Sequence, residues 1–501
     1  MRQLKTIVKY EWIALWQSSL FSWSLGTLTF FATYALYYGH ASISKQMRTI
    51  GVINQANDST KAIVYNAFED PALSDSLRFG WAGMNGIGDA LTTEDFLANN
   101  VAINYPNRLS HLAIGQRDVY PIYRKVSARS LYNDTGSGVS LDEKYVETSN
   151  PHKLLAGNFD LSYVFLFLFP LFIIAFTFNI VSQEVENGTY PLIRILPIST
   201  TLFFATKFFF RFAVLVGFAI LFSLAGFLFS PLDAPVELSL YFDWLALIAA
   251  YILFWFSLAW AVVSLRQNSP TNALLLVGLW LLFLVIIPAS INNYVAANFS
   301  IDSRTVLVDK INDQSGKIWD MPESIWVESY YLTYPAYRQP ESSKLWFTAE
   351  DSYDDLGLDE SLDLRYNKKI LIWHYYLDKI IAHELESYNR QLESKQQASH
   401  RFSFINPAGV TYEKLCALAA SGHDHQNRFR AATARYQNNV FERTNKFLFE
   451  EQKLSLEDYK GYPAFDIDRF SSRSPRESGV VLYLTLAAVL SIAIGLLIKK
   501  Y

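Results

Sequence analysis

The sequence predicts an all-α polytopic membrane protein, with six transmembrane helices and a large, mainly helical extracytoplasmic domain. Three observations predict it. Hydrophobic residues make up 51% of the 501 residues and charged residues only 18%, where soluble domains carry about 25% charged. Six segments are apolar over the roughly 20 residues that a bilayer core requires. Basic residues keep to alternate short loops, as cytoplasmic loops do.

Residues 1–19 open the chain as an amphipathic stretch. Ile7, Tyr10, Trp12, Ile13 and Leu15 mix with Lys5, Lys9 and Glu11, which suits a helix lying in the cytoplasmic interface or a plain start to the first span. The first apolar run lies too far beyond Arg2, Lys5 and Lys9 to make a cleavable signal peptide. The expected spans are Leu20–Tyr38, Leu161–Ser182, Phe208–Phe229, Asp243–Leu265, Asn272–Ile291 and Gly479–Ile498. Ser22, Ser24, Thr27 and Thr29 dilute the first, while Trp16, Trp23, Tyr34, Tyr37 and Tyr38 suit the interfacial belts.

Orientation follows from charge. Arg2, Lys5 and Lys9 precede the first span, Arg194 and Lys207 lie between the second and third, Arg266 lies between the fourth and fifth, and Lys499 and Lys500 end the chain. The opposite short loop, Ser230 to Phe242, holds no Lys or Arg but carries Asp233 and Glu237. Both termini and the charged connector are therefore expected on the cytoplasmic side. Residues 39–160 and 292–478 fall outside, and together they are long enough to build a core. Two helices dominate the expectation there. Arg365–Gln397 repeats Ile370, Trp373, Leu377, Ile380, Ile381, Leu385, Tyr388 and Leu392 at helical steps, and Gly422–Leu454 repeats Phe429, Tyr436, Val440, Phe441, Phe447 and Leu448. Asn406-Pro407 and Gly409 break the two apart. Ala41–Asn66 and Thr305–Trp319 are further helix candidates that extend membrane helices outward. Ile325–Phe347, aromatic-rich with Pro335 and Pro340, reads as irregular or strand-like.

Composition bounds the chemistry. A net charge of −4 gives no basis for nucleic-acid binding, and a single cysteine, Cys416, allows neither an intramolecular disulfide nor a cysteine metal cluster. No P-loop motif occurs, and Gly83, Gly86 and Gly88 do not form a dinucleotide fingerprint. His383-Glu384 lacks the second histidine of a zinc-protease motif. His423 and His425, with His374, His383 and His400 nearby, are weighed as a metal site against a solvated helix start, and the helix start is preferred. The acidic run Asp351, Asp354, Asp355, Asp359, Glu360 and Asp363 lacks calcium-loop spacing. The interiors of the spans hold almost no ionisable groups, so a proton- or sodium-coupled carrier finds no midplane carboxylate.

The most informative stretch is the connector between the second and third spans, residues 183–207. Gly188 permits a sharp turn, Pro191 and Pro197 stop one helix and start another, and Glu184 and Glu186 offer acceptors to basic groups on a partner. Glu184, Glu186, Gly188, Thr189, Leu192, Pro197, Ile198, Ser199 and Lys207 resemble the cytoplasmic coupling element of ABC-2 type (type V) ABC transporter permeases. Val185 stands where that family carries a basic residue. Gly278–Pro288 resembles the fifth span of the same family. Asn406-Pro407, Ser421-Gly422, Asp424, Arg428, Phe429 and Tyr436 resemble a subfamily whose extracytoplasmic domain has no assigned function.

The resemblance implies a permease subunit that is not itself an enzyme. It would couple, through these residues and Arg194, to a separate ABC ATPase subunit that binds ATP and Mg, and would pair in the bilayer with a second copy or a related permease. It leaves the outer domain either to guide release or to meet a periplasmic partner, and implies no cofactor in this chain. An alternative is mechanotransmission: ATP-driven motion would act on the outer domain without moving a substrate. A membrane-anchored enzyme is the third class, for which the sequence offers no nucleophile–base pair.

Overall fold

The computed structural model describes residues 2–70, 100–128, 158–195, 197–232, 238–302, 304–338, 360–465 and 478–498. The expected acidic run at 351–359, the glycines at 83–88, and Asp233, Glu237, Pro340, Lys499 and Lys500 lie outside the described residues.

Helices account for nearly all of the described regular structure. α1 is Arg2–Gln17. Ser18 then turns the chain, its Oγ accepting from Phe21 N, and caps α2, Ser19–Glu69. At 1.5 Å per residue this single helix runs roughly 75 Å, more than twice the thickness of a bilayer core. Two three-residue strands, β1 (Val101–Ile103) and β2 (Tyr123–Lys125), pair antiparallel with Ala102 opposite Arg124.

Among the described residues five helices are long and apolar enough to cross a membrane: α3 (Leu161–Glu186), α5 (Thr200–Leu228), α6 (Leu238–Ser264), α7 (Ser269–Asn298) and α14 (Ser478–Ile498). They make a multi-pass membrane architecture. The short α4 (Tyr190–Arg194) joins α3 to α5. The first half of α2 is too rich in Ser, Thr and Tyr to join the five on composition, yet it packs with them. Phe21, Leu28, Ala32 and Ala35 lie in one core with Phe165 and Phe169 of α3, Leu215 of α5, Trp244 and Trp255 of α6, and Leu484 of α14.

Two of these helices are not uniform, and proline explains both. π-helical turns occupy Val164–Leu168 and Leu282–Ile286, each just before a proline, Pro170 and Pro288. Proline has no N–H for the carbonyl four residues back. For Pro170 that carbonyl is Leu166 O, which accepts from the Tyr251 hydroxyl at 2.9 Å. Phe167 O accepts from Trp280 Nε1 at 3.2 Å, so neighbouring helices satisfy the opened backbone.

A second core lies apart from the bundle. α8 (Arg304–Trp319), α9 (Glu323–Thr333), α10 (Glu360–Ser403) and α12 (His423–Phe449) meet β1 and β2 around Ile311, Trp326, Tyr330, Leu377, Ile381 and Phe429. The predicted apolar positions of α12 are all buried. Along α10 the stripe buries Leu377 and Ile381 but leaves Leu392 exposed. One expectation is corrected. Residues 323–333 are helical, followed by a single 3₁₀ turn at Pro335–Tyr337. The aromatic density that suggested irregular structure instead packs one helix face, with Trp326, Tyr330 and Tyr331 buried.

Several elements join the two cores; the end of α7 reaches α10, where Tyr294 and Phe402 meet edge to face at 5.4 Å. α11 (Pro407–Leu418) connects α10 to α12, but Ala408, Leu415 and Ala419 belong to the bundle core. Residues 104–122 seat beside it: Asn107 Nδ2 donates to Leu418 O at 2.7 Å, Ser110 Oγ to Ala419 O at 2.7 Å, and Gln116 N to Ser421 O at 3.0 Å. Close approach requires glycine here, because a Cβ on Gly39 would lie 1.9 Å from His111 O.

Candidate coupling site at the charged connector

α3 ends in a Schellman turn built by Gly188. Its φ of +71° is the left-handed region that glycine enters without strain. Gly188 N donates to Val185 O at 3.1 Å and Thr189 N to Glu184 O at 3.0 Å. Pro191 sits in the first turn of α4, where its missing N–H is harmless. Ser199 caps α5, its Oγ accepting from Leu202 N at 3.2 Å.

The two glutamates brace the connector from opposite ends. Glu184 Oε1 accepts from Lys207 Nζ at 2.8 Å, and its other oxygen accepts from the Thr189 hydroxyl. Glu186 reaches α7, where its carboxylate accepts from Ser269 N at 2.8 Å and Ser269 Oγ at 2.9 Å. A carboxylate at that helix N-terminus is stabilised by the unpaired backbone donors and the dipole. Both glutamates were expected as acceptors for basic groups on a partner; each spends hydrogen bonds within the chain.

Glu11 completes the network, and sequence reasoning did not select it. Its side chain is 3% exposed and pairs with Arg211 at 2.5 Å and Lys207 at 3.5 Å. Arg211 also donates to Phe176 O. Lys207 therefore links Glu11 on α1 to Glu184 on α3, and α1 is fastened against α5. The available sequence signal was a lone acid, Glu11, on the apolar side of an amphipathic stretch.

The outer face of the connector is apolar. Tyr190 and Ile193 turn inward onto the bundle, while Val185, Leu192 and Ile195 are 55, 62 and 79% exposed. Arg194, Pro197 and Ser199 are also exposed. Leu192, Arg194, Pro197 and Ser199 were chosen from the sequence; Val185 and Ile195 were not. The result is a greasy ledge, edged by Arg194, on a short helix held by ionic braces.

The histidines are placed elsewhere. His423 meets the Tyr120 hydroxyl at 2.9 Å, and His425 Nε2 meets Asn104 Oδ1 at 3.0 Å. His400 lies 3.6 Å from Glu413. No three metal-ligating side chains gather among the described residues. His425 is pushed down to about 3 by burial, reinforced by the charges of Arg117 and Arg428, so it is held neutral. Cys416 is buried, and burial raises its thiol to about 12.

Residues 313–468 match a family described as a domain of unknown function, DUF3526. That stretch begins within α8 and runs past α12. No curated protein and no solved structure matches this chain.

Proposed function

We propose that this chain is the membrane subunit of an ATP-driven ABC transporter of the ABC-2 type, coupled to a separate ATPase. The observation that carries it is the connector: an exposed apolar ledge on a braced, glycine-turned helix between two membrane helices. Exposed apolar side chains held rigidly beside polar groups are the usual mark of a docking surface. The braces suit force transfer, since a push on α4 moves α3, α5 and α7 together through Glu184, Lys207 and Glu186. In this reading the first half of α2 is a sixth span, both termini are cytoplasmic in a bacterial inner membrane, and α8–α12 stand outside it. A second copy or a related permease completes the transporter, and ATP and Mg belong to the ATPase.

A specific observation favours a second reading, mechanotransmission without a moved substrate. α11 is seated in the bundle core yet continues into the outer helices, so motion of the bundle would reach them directly. A continuous path between protomers favours transport; its absence favours mechanotransmission.

The test is co-expression with a candidate ABC ATPase subunit, which this reading expects in a gene adjacent to this one. The wild-type protein should retain the ATPase through affinity purification, and Leu192→Asp with Ile195→Asp should release it without lowering the melting temperature, because both side chains face outward. Retention at the wild-type ratio in the double variant, or no ATPase on the wild type, would overturn the proposal.

A further inference from the structure

Far from the connector, the second half of α2 forms one wall of a cleft of about 280 Å³. Its size is near the lower end of ordinary small-molecule sites, about 300 Å³. Asn54, Asn57, Lys61 and Tyr65 face it at steps of three and four, one stripe of a helix. The opposite wall comes from β1 and its flanks, α12, α13 (Leu456–Lys460) and the segment that follows it.

The lining chemistry is selective. Tyrosines dominate, with Tyr65, Tyr436, Tyr459 and Tyr462 all contributing. Tyr65 and Tyr459 meet edge to face at 5.6 Å, so their rings hold each other in place. Amides supply paired donors and acceptors: Asn54 Nδ2 donates to the Tyr105 hydroxyl at 3.0 Å, and the Tyr436 hydroxyl donates to Asn100 Oδ1 at 3.4 Å. Among the described residues no carboxylate lines the cleft, but two ammonium groups do, Lys61 and Lys460. Lys460 lies 5.7 Å from the Tyr65 ring centre. Lys61 has no ion pair or hydrogen bond among the described residues.

We propose that this cleft binds a small anionic sugar. Tyrosine faces accept the apolar face of a sugar ring, asparagine amides match vicinal hydroxyls, and the two lysines pair with a carboxylate or phosphate. A neutral apolar ligand would leave the Asn57 amide oxygen and the ammonium groups unmatched, and a cation would meet only positive charge among the described residues. The proposal does not depend on the transport reading, since it concerns a site distant from the connector.

The experiment uses the full-length protein in lipid nanodiscs and isothermal titration calorimetry. The probes are glucuronic acid, glucose 6-phosphate, glucose, inorganic phosphate and an acidic peptide. At least one anionic sugar should bind about tenfold or more tightly than glucose, inorganic phosphate or the peptide. Lys61→Gln with Lys460→Gln should weaken that binding about tenfold while the melting temperature holds. Both lysines are on the surface of the cleft, so the variant should fold. Equal binding of phosphate, preference for the peptide, no sugar binding, or wild-type affinity in the double variant each overturns the proposal.

Discussion

At the scale of single residues, Glu11 is the group whose removal should be felt most. It is buried with two cations, Lys207 and Arg211. Replacing it by alanine leaves Arg211 without a carboxylate in a mostly dry site, and breaking such a pair costs about 3 kcal/mol or more. Glu11→Ala should therefore lower the melting temperature by several degrees, whereas Lys207→Met should lower it less because Arg211 still holds Glu11. Equal melting of Glu11→Ala and wild type would remove the network from the account. His425 gives a prediction with a pH sign. Its folded pKa is depressed to about 3, against about 6.5 unfolded. Its contribution is present in full above about pH 6.5 and is lost as pH falls toward the folded value, because the unfolded chain takes the proton first. The same direction holds for His111, pushed down to about 4 chiefly by burial, with Nε2 2.7 Å from Gly226 O. His425→Gln keeps a hydrogen-bonding group toward Asn104 and removes the titration. Its melting temperature should fall less steeply than wild type between pH 6.5 and 4, and an unchanged slope would show that His425 is already protonated in the fold.

At the scale of elements, the π turns show how a membrane helix tolerates an inner proline. Tyr251, buried on α6, supplies the donor that Pro170 cannot. Tyr251→Phe should cost about 1–3 kcal/mol, the desolvation of an unmet carbonyl, while Trp280→Phe, whose indole is only partly buried, should cost less. A Tyr251→Phe protein that melts like wild type would mean that Leu166 O finds another donor. What was legible beforehand divides along physical lines. Long periodic helices such as α10 and α12 were legible because an apolar stripe repeats whatever the partner. So were the turn at Gly188 and the prolines of the connector, since φ > 0 and a missing N–H are properties of those residues themselves. The helical state of 323–333 was hidden because its aromatics pack on α10 and α12, contacts far off in sequence. The π turns were equally hidden: proline predicts a broken hydrogen bond, but not which tyrosine repairs it. Glu11 and the exposed Ile195 needed three dimensions, because only the fold tells which side of a short helix is covered.

At the scale of the whole molecule, the decisive quantity is how many times the chain crosses the bilayer. Among the described residues five helices qualify by length and composition, and the proposed sixth is supported by the burial of Phe21, Leu28, Ala32 and Ala35 in the bundle core. A span need not be uniformly apolar when its polar groups bond to their own backbone, and Thr27 and Thr29 do so, donating to Trp23 O and Leu25 O at 2.8 Å each. That arrangement lowers the cost of two hydroxyls in hydrocarbon. Six crossings put α1 and the connector on one side and the far half of α2 on the other; five crossings put α1 and the far half of α2 together. Single cysteines distinguish the two. In a Cys416→Ser background, Lys5→Cys, Gln183→Cys and Ser59→Cys each place a thiol at an exposed site. In intact cells a membrane-impermeant maleimide should label Ser59→Cys alone, and after lysis all three. Labelling of Lys5→Cys from outside together with Ser59→Cys would reduce α2 to a surface helix. It would also leave the Glu11–Lys207–Glu184 brace without a cytoplasmic side on which α1 and the connector meet, so the same measurement tests the coupling site and the topology that positions it.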